Sequence, residues 1–223
     1  MQQQKSKKIL FYIFLLITFG SINNLSFNEI RLDKIENIKI SGLKNYESKI
    51  LLNDIRELKL KSIFFLKAKE ISKIINKNNL IENFEIFKKY PSTLFIEIEQ
   101  TKFLAKINKN GKTFIVGSNG KLLEEKYSNQ PLPYIFGNPN IENFIHFKKI
   151  LDSSRFSYDT IKNLYYFPSM RWDIELKNNI ILKLSNENLK ETLENAYEFL
   201  SSEKNRKIKI LDMRVKNQII IND

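Results

Sequence analysis

The sequence predicts an α+β protein in which one N-terminal apolar helix precedes two globular regions, and three observations support this prediction. A single long apolar run lies near the start of the 223-residue chain. After it, segments with helical spacing of apolar residues alternate with segments in which every second residue is apolar, the pattern of mixed helices and strands. The chain is 42% hydrophobic and 28% charged, and no Pro-, Gly- or Ser-rich linker divides it, so we expect one or two ordinary cores.

The apolar run covers residues 9–22 and directly follows a short basic tail. Cationic residues stay on the cytoplasmic side of a membrane. Residues 1–8 are therefore predicted to be a cytoplasmic tail, and the bulk of the chain is predicted to lie outside the cytoplasm. The basic residues of the tail are Lys5, Lys7 and Lys8.

The length of the run leaves two interpretations open. Residues 9–22 match a signal-peptide core, whereas an extension to residue 27 reaches the roughly 20 residues that cross a bilayer. No small-x-small cleavage site follows the run, so we predict an uncleaved transmembrane signal anchor over residues 9–27, with a cleaved peptide as the alternative. The residues expected to contact membrane lipid include Ile9, Phe11, Phe14, Leu15, Leu16 and Ile17.

The composition argues against catalysis and against bound cofactors. The chain has no cysteine and a single histidine, His146, so it offers neither a thiol nucleophile nor a multi-histidine metal site. The net charge of +12 is spread over scattered lysines, which favours a solvated surface over nucleic-acid binding. We therefore expect no catalytic residue, cofactor, metal, nucleic acid or small-molecule substrate.

After the anchor, the pattern predicts a strand, two helices and two strands. Residues 35–40 alternate and end at Ser41-Gly42, which indicates a strand followed by a turn. Two segments with helical spacing follow, and Pro91 then separates two alternating segments, because proline cannot donate to a sheet ladder. The predicted helices are Glu47–Leu58 and Ala68–Ile75, and the predicted paired strands are Ile81–Lys89 and Thr93–Gln100.

The rest of the chain is predicted to be rich in strands. Amphipathic helices are predicted at Glu142–Leu151 and Leu189–Leu200, where apolar residues recur at helical spacing. Alternating segments between turn signals predict a mostly antiparallel sheet flanked by these helices. The segments are Phe114–Val116, Lys121–Glu124, Ile161–Phe167, Arg171–Leu176, Ile180–Leu184 and Lys207–Ile221.

Several motifs occur in the order found in one protein family. The first half carries Ile38-x-Ile40-x-Gly42 and later Ile86-x-Lys88-x-Tyr90-Pro91-x-Thr93-Leu94-x-Ile96-x-Ile98-Glu99. The second half carries Leu132-Pro133-x-Ile135-x-Gly137, Arg171-Trp172-x-Ile174-x-Leu176 and Ile210-Leu211-Asp212-x-Arg214. In this order behind one anchor, they resemble the motifs of the FtsQ/DivIB family of bacterial division proteins. Tyr90 stands where that family usually has Trp, and Lys102 replaces an expected proline.

This resemblance implies a polypeptide-transport-associated (POTRA) domain over residues 34–102 and a β-rich partner-binding domain over residues 103–223. It implies a divisome scaffold of the inner membrane, concentrated at the division septum, with partners that are bitopic coiled-coil proteins of the FtsB/FtsL kind. The alternatives are a POTRA-containing envelope assembly or transport factor and a periplasmic enzyme.

The partner site is expected at a strand close to residue 223. A sheet edge there would accept a partner strand through backbone hydrogen bonds. The residues assigned to this site are Arg214, Val215, Asn217, Ile219 and Ile220.

Overall fold

The computed structural model describes residues 2–22, 35–57, 63, 66–202, 207–216 and 218–222. The chain divides into two compact units. The first unit comprises residues 1–75 and 84–98, and the second comprises residues 76–83 and 99–223. Both units combine helices and strands, so the predicted α+β class is confirmed.

The first helix, α1, spans Gln2–Ile22 and contains most of the predicted anchor. Its large apolar side chains are mostly exposed, from 54% for Ile13 to 75% for Leu16. No helix in the described ranges combines the length and the apolar character that a bilayer crossing needs. Residues 23–27 of the predicted anchor lie outside the described residues, so the transmembrane anchor stays a prediction.

A three-stranded sheet and two helices form the structured part that follows. Their order is β1 (Asn37–Ser41), α2 (Asn45–Glu57), α3 (Ala68–Ile75), β2 (Ile81–Lys89) and β3 (Thr93–Gln100). The central strand is β3, which has β1 and β2 on its two sides and pairs with β1 in parallel. This is the β-α-α-β-β order that the sequence predicts.

Alternation along β3 separates the two faces of this sheet. Leu94 and Ile96 are fully buried, whereas Glu97 between Ile96 and Ile98 is exposed. The two helices add buried residues at helical spacing, namely Leu51, Ile55, Ile71 and Ile75. The apolar face of the sheet therefore contributes to the core with the helices, and the opposite face carries the exposed residues of the strands.

Gly42 follows β1 in a conformation that other residues rarely adopt. Its φ is +89°, and a Cβ atom there would lie 1.7 Å from the carbonyl oxygen of Ile98. The glycine of the first sequence motif is therefore explained by the close approach of two backbone segments.

In the residues that the structure describes, the second unit has a nine-stranded sheet and two α-helices. They are β4 (Phe103–Lys109), β5 (Lys112–Gly117), β6 (Leu122–Glu124), β7 (Tyr134–Phe136), α4 (Ile141–Asp152), β8 (Ile161–Tyr166), β9 (Trp172–Leu176), β10 (Ile181–Lys183), α5 (Leu189–Ser202), β11 (Ile210–Asp212) and β12 (Ile220–Asn222). The strand order in the sheet is β12-β11-β10-β9-β8-β7-β4-β5-β6. Five of the eight neighbouring pairs are antiparallel and three are parallel.

The main core of this unit lies between the sheet and its two helices. Phe144 and Phe147 of α4 and Leu193 of α5 belong to the same buried cluster as Ile174 of β9. The only tryptophan, Trp172, stacks on Phe147 with ring centroids 4.6 Å apart and is 6% exposed. Helix α4 begins at an N-cap, because the side chain of Asn140 accepts a hydrogen bond from the backbone N–H of Glu142.

The structure differs from the sequence predictions at two strands and in the region 207–221. Strands β4 and β7 are not among the predicted strands, and β7 is only three residues long. The predicted strand region Lys207–Ile221 contains two three-residue strands, β11 and β12, joined by residues 213–219. Val215 and Ile219 therefore lie in this connection and not in a strand.

Candidate partner-binding edge

Strand β12 forms one edge of the nine-stranded sheet. It pairs antiparallel with β11, so that Ile220 lies opposite Asp212 and Ile221 lies opposite Leu211. Ile221 packs against the main core, whereas Ile220 is 55% exposed. An edge strand presents backbone donors and acceptors on its outer side, so this edge can accept another strand.

The connection that leads into β12 carries exposed apolar side chains. Val215 is 52% exposed and Ile219 is 40% exposed. The backbone turns between them, because the N–H of Gln218 donates to the carbonyl of Val215 at 3.2 Å. Asn217, which the sequence analysis assigned to the partner site, lies outside the described residues.

Arg214 forms a two-pronged ion pair with Asp212 at the end of β11. The guanidinium Nη2 lies 2.6 Å from Asp212 Oδ2, and Nε lies 2.8 Å from Oδ1. The hydrogen bonds from Arg214 lower the pKa of the Asp212 carboxyl below its ordinary value. Part of the Arg214 side chain stays accessible, at 45% exposed.

A row of charged side chains crosses three neighbouring strands and ends on β11, next to the edge strand β12. Asp173 of β9 lies opposite Lys183 of β10, and Lys183 lies beside Asp212 of β11. Their strand neighbours, such as Ile174 and Leu182, belong to the main core, so the row occupies the face opposite the helices. The charges alternate in sign from Asp173 to Lys183 to Asp212, and such opposite-charge pairs across neighbouring strands stabilise this register.

The inner end of the row is buried more deeply than its outer end. Asp173 is 4% exposed and accepts a hydrogen bond from Nε of Arg171 at 3.0 Å. Burial raises the pKa of Asp173, and the hydrogen bonds from Arg171 oppose that change. Arg171 in turn lies over the ring of Phe167, 4.2 Å from its centroid.

Glu175 organises a second polar group on the same face. Its carboxylate accepts hydrogen bonds from Asn163 at 2.8 Å, Tyr165 at 2.7 Å and Lys162 at 2.7 Å. These bonds, that from Asn163 foremost, lower the pKa of Glu175 to about 2. Tyr165 also stacks on Phe136 of β7, with centroids 5.1 Å apart.

A groove lies between α5 and the connection before β12. Its cavity volume is about 460 Å³, and its lining includes Phe199 and Glu191 of the helix and Met213, Val215 and Ile219 of the connection. Two residues of the predicted partner site therefore line one concave surface.

The structure brings Arg214, Val215, Ile219 and Ile220 to one end of the sheet. Asp173 and Lys183 are not among the predicted site residues, because their proximity to Asp212 depends on the register of three separate strands. The Asp212-x-Arg214 motif was the only local signal of the charged row. His146 is exposed on α4, and no group of three His, Cys, Asp or Glu side chains in the described part of the chain is placed to hold a metal ion.

Comparison with known families gives two matches that follow each other along the chain. Residues 33–100 match the family model described as POTRA domain, FtsQ-type. Residues 105–214 match the model described as cell division protein FtsQ/DivIB, C-terminal.

Curated relatives show the same similarity over most of the chain. Cell division protein FtsQ of Rickettsia felis is 27% identical over 195 residues, which covers 84% of this chain and 72% of the relative. FtsQ of Blochmanniella floridana is 29% identical over 158 residues, which covers 64% of this chain and 56% of the relative.

A solved structure of the major extracytoplasmic domain of DivIB from Geobacillus stearothermophilus also matches. It has a TM-score of 0.35 and 13% sequence identity, and the match covers 49% of this chain and 99% of that one.

Proposed function

Because the chain belongs to the FtsQ/DivIB family of bacterial cell division proteins, we propose that it is a non-catalytic scaffold of the division machinery. In this role it links division proteins at the septum through contacts outside the cytoplasm. Residues 9–27 anchor it in the inner membrane, and the lysines before them keep the N-terminus in the cytoplasm.

The partner site is the edge formed by β12. The observation that carries this assignment is the position of β12 at the end of the sheet, beside the exposed side chains of Ile219 and Ile220. A partner strand there would gain backbone hydrogen bonds for affinity and side-chain contacts for specificity. Bitopic coiled-coil proteins of the FtsB/FtsL kind are the partners that we assign to it.

Two substitutions at one position separate backbone pairing from side-chain contact. Ile219→Pro removes a backbone donor at the start of the edge, whereas Ile219→Ala keeps it and trims the side chain. We expect Ile219→Pro to weaken capture of the FtsB/FtsL-like proteins of the same organism at least about tenfold, which corresponds to about 1.4 kcal/mol. Ile219→Ala should weaken capture less than Ile219→Pro, because strand addition gains most of its affinity from main-chain hydrogen bonds.

Truncation of the chain after Arg214 is a second test of the partner site. It removes β12 and with it Ile221, which packs against the core, so we expect a lower unfolding temperature together with loss of capture. Fluorescence of Trp172, which is buried in the same unit, reports whether each variant is folded. Unchanged capture by both folded variants would show that the partner binds elsewhere.

A further inference from the structure

Two lysines share one aromatic ring on the helix-free face of the first unit's sheet. The Nζ atom of Lys39, on β1, lies 5.5 Å from the centroid of Phe95, and that of Lys89, at the end of β2, lies 5.9 Å from it. Lys39 and Phe95 are direct neighbours in the ladder. Both ammonium groups therefore lie near one ring, on the face opposite buried Leu94 and Ile96.

Two exposed aromatic side chains, one on β2 and one in the turn, adjoin this feature. Phe87 is 45% exposed, and it alternates along β2 with the half-buried Ile86 and Lys88. Tyr90, in the turn after β2, is 58% exposed. We call this surface the basic–aromatic patch, and it consists of Lys39, Phe87, Lys89, Tyr90 and Phe95.

The same face has the opposite charge farther from the turn. Glu85 precedes Phe87 by two residues on β2, and Glu97 follows Phe95 by two residues on β3, and both are exposed. Apart from Glu36, whose carboxylate accepts a hydrogen bond from the Ser92 hydroxyl in the turn, the sheet is cationic and aromatic near the turn and anionic away from it. Such a distribution gives the face a preferred orientation against a negatively charged plane.

We propose that the basic–aromatic patch rests on the surface of the anionic membrane that holds the predicted anchor. Lysines near an anionic bilayer are attracted to its headgroups, and aromatic side chains favour the interface between water and lipid. Glu85 and Glu97 lie on the same face but farther from the turn, so contact at the turn end would hold their carboxylates farther from the anionic surface than the two lysines. This inference rests on the proposed membrane anchor.

Chain length keeps the patch within reach of such a membrane. Residues 23–34 connect α1 to the first described residue of the sheet region, and a fully extended connection of this size spans at most about 45 Å. Tethering raises the effective concentration of the surface around the patch. Two lysines and three aromatic rings would bind a membrane weakly without the tether, but with it they suffice to hold the patch on the membrane surface.

The absence of cysteine allows a direct measurement on the full chain. A single cysteine introduced by Asn37→Cys places a fluorophore on the exposed outer side of β1, next to the patch, and Asn53→Cys places one on the exposed side of α2. Each labelled chain is reconstituted into phosphatidylcholine vesicles with or without phosphatidylglycerol. A headgroup spin label on a fraction of the phosphatidylcholine quenches only fluorophores close to the membrane surface.

With phosphatidylglycerol, we expect quenching at position 37 to exceed quenching at position 53 by roughly threefold or more, since each lysine biases the patch about fivefold towards an anionic surface. The variant Lys39→Glu/Lys89→Glu should remove the difference. The matched variant Lys49→Glu/Lys69→Glu, which changes two exposed lysines on the helices by the same charge, should keep it. Added salt should lower quenching at position 37 only.

Three results would overturn the proposal. One is equal quenching at positions 37 and 53, and another is quenching at position 37 that survives Lys39→Glu/Lys89→Glu. The third is an emission change at position 37 with a poly-glutamate peptide but none with vesicles, which would identify an acidic protein segment as the ligand instead. Failure of the anchor itself gives a different result, because the chain would then not co-float with phosphatidylcholine vesicles at high salt.

Discussion

At the scale of single residues, Glu175 couples the stability of the second unit to pH. Its carboxylate accepts three side-chain hydrogen bonds, and its pKa in the folded chain is about 2. A lowered pKa means that the ionised form stabilises the folded state. This contribution is complete above the ordinary glutamate pKa of about 4.5 and is lost as the pH falls from there towards 2. We expect Glu175→Gln to reduce the free energy of unfolding by about 1–2 kcal/mol at neutral pH and to flatten its decline in acid.

Trp172 lies on β9, three residues before Glu175, and it pairs with Tyr166 of β8. Its fluorescence during urea unfolding therefore measures this effect. Glu187→Gln, at an exposed position before α5, serves as the control and should leave both the stability and its pH dependence unchanged. An acid profile of Glu175→Gln that matches the unsubstituted chain would show that the three hydrogen bonds contribute nothing to folding.

At the scale of secondary structure, β3 should tolerate substitution on one face only. Ile96 is fully buried and its neighbour Glu97 is exposed. Ile96→Ala leaves a cavity and should cost the first unit about 2–5 kcal/mol, whereas Glu97→Ala should cost almost nothing. Since the only tryptophan lies in the second unit, Ile96→Ala should shift unfolding followed by circular dichroism more than unfolding followed by fluorescence. An equal loss of stability in Ile96→Ala and Glu97→Ala would contradict the assignment of Ile96 to the buried face and Glu97 to the exposed face.

The same scale shows what sequence patterns can and cannot predict. Helix α3 and strands β2 and β3 have the predicted bounds, because eight or nine residues of regular alternation or helical spacing suffice to identify an element. Strand β7 has only three residues between Pro133 and Gly137, which is too few for a period. The charged row could not be predicted either. Lys183 and Asp212 lie on β10 and β11, which pair in parallel although the sequence of α5 separates them.

At the scale of the whole molecule, the proposed topology places Met1 in the cytoplasm and Asp223 outside it, because the basic residues precede the apolar run. A periplasm-active reporter fused after Asp223 should therefore be active, and a cytoplasm-active reporter at the same position should not. Fusions before Met1 should give the reverse pattern and serve as the control. Activity of the cytoplasmic reporter alone after Asp223 would contradict this topology, and a mature N-terminus between residues 21 and 28 would instead indicate a cleaved signal peptide.

The small size of β12 has a thermodynamic consequence for any partner that pairs with it. Among the described strands, β12 has three residues and one neighbour in the sheet, and it follows the connection of residues 213–219. Such a strand opens at a lower free-energy cost than the core strands. A partner that pairs with β12 binds only the molecules in which this strand is in place. The measured dissociation constant therefore equals the intrinsic dissociation constant divided by the fraction of molecules with β12 in place. Ordering of β12 and the affinity of a partner that pairs with it are therefore linked equilibria, and each strengthens the other.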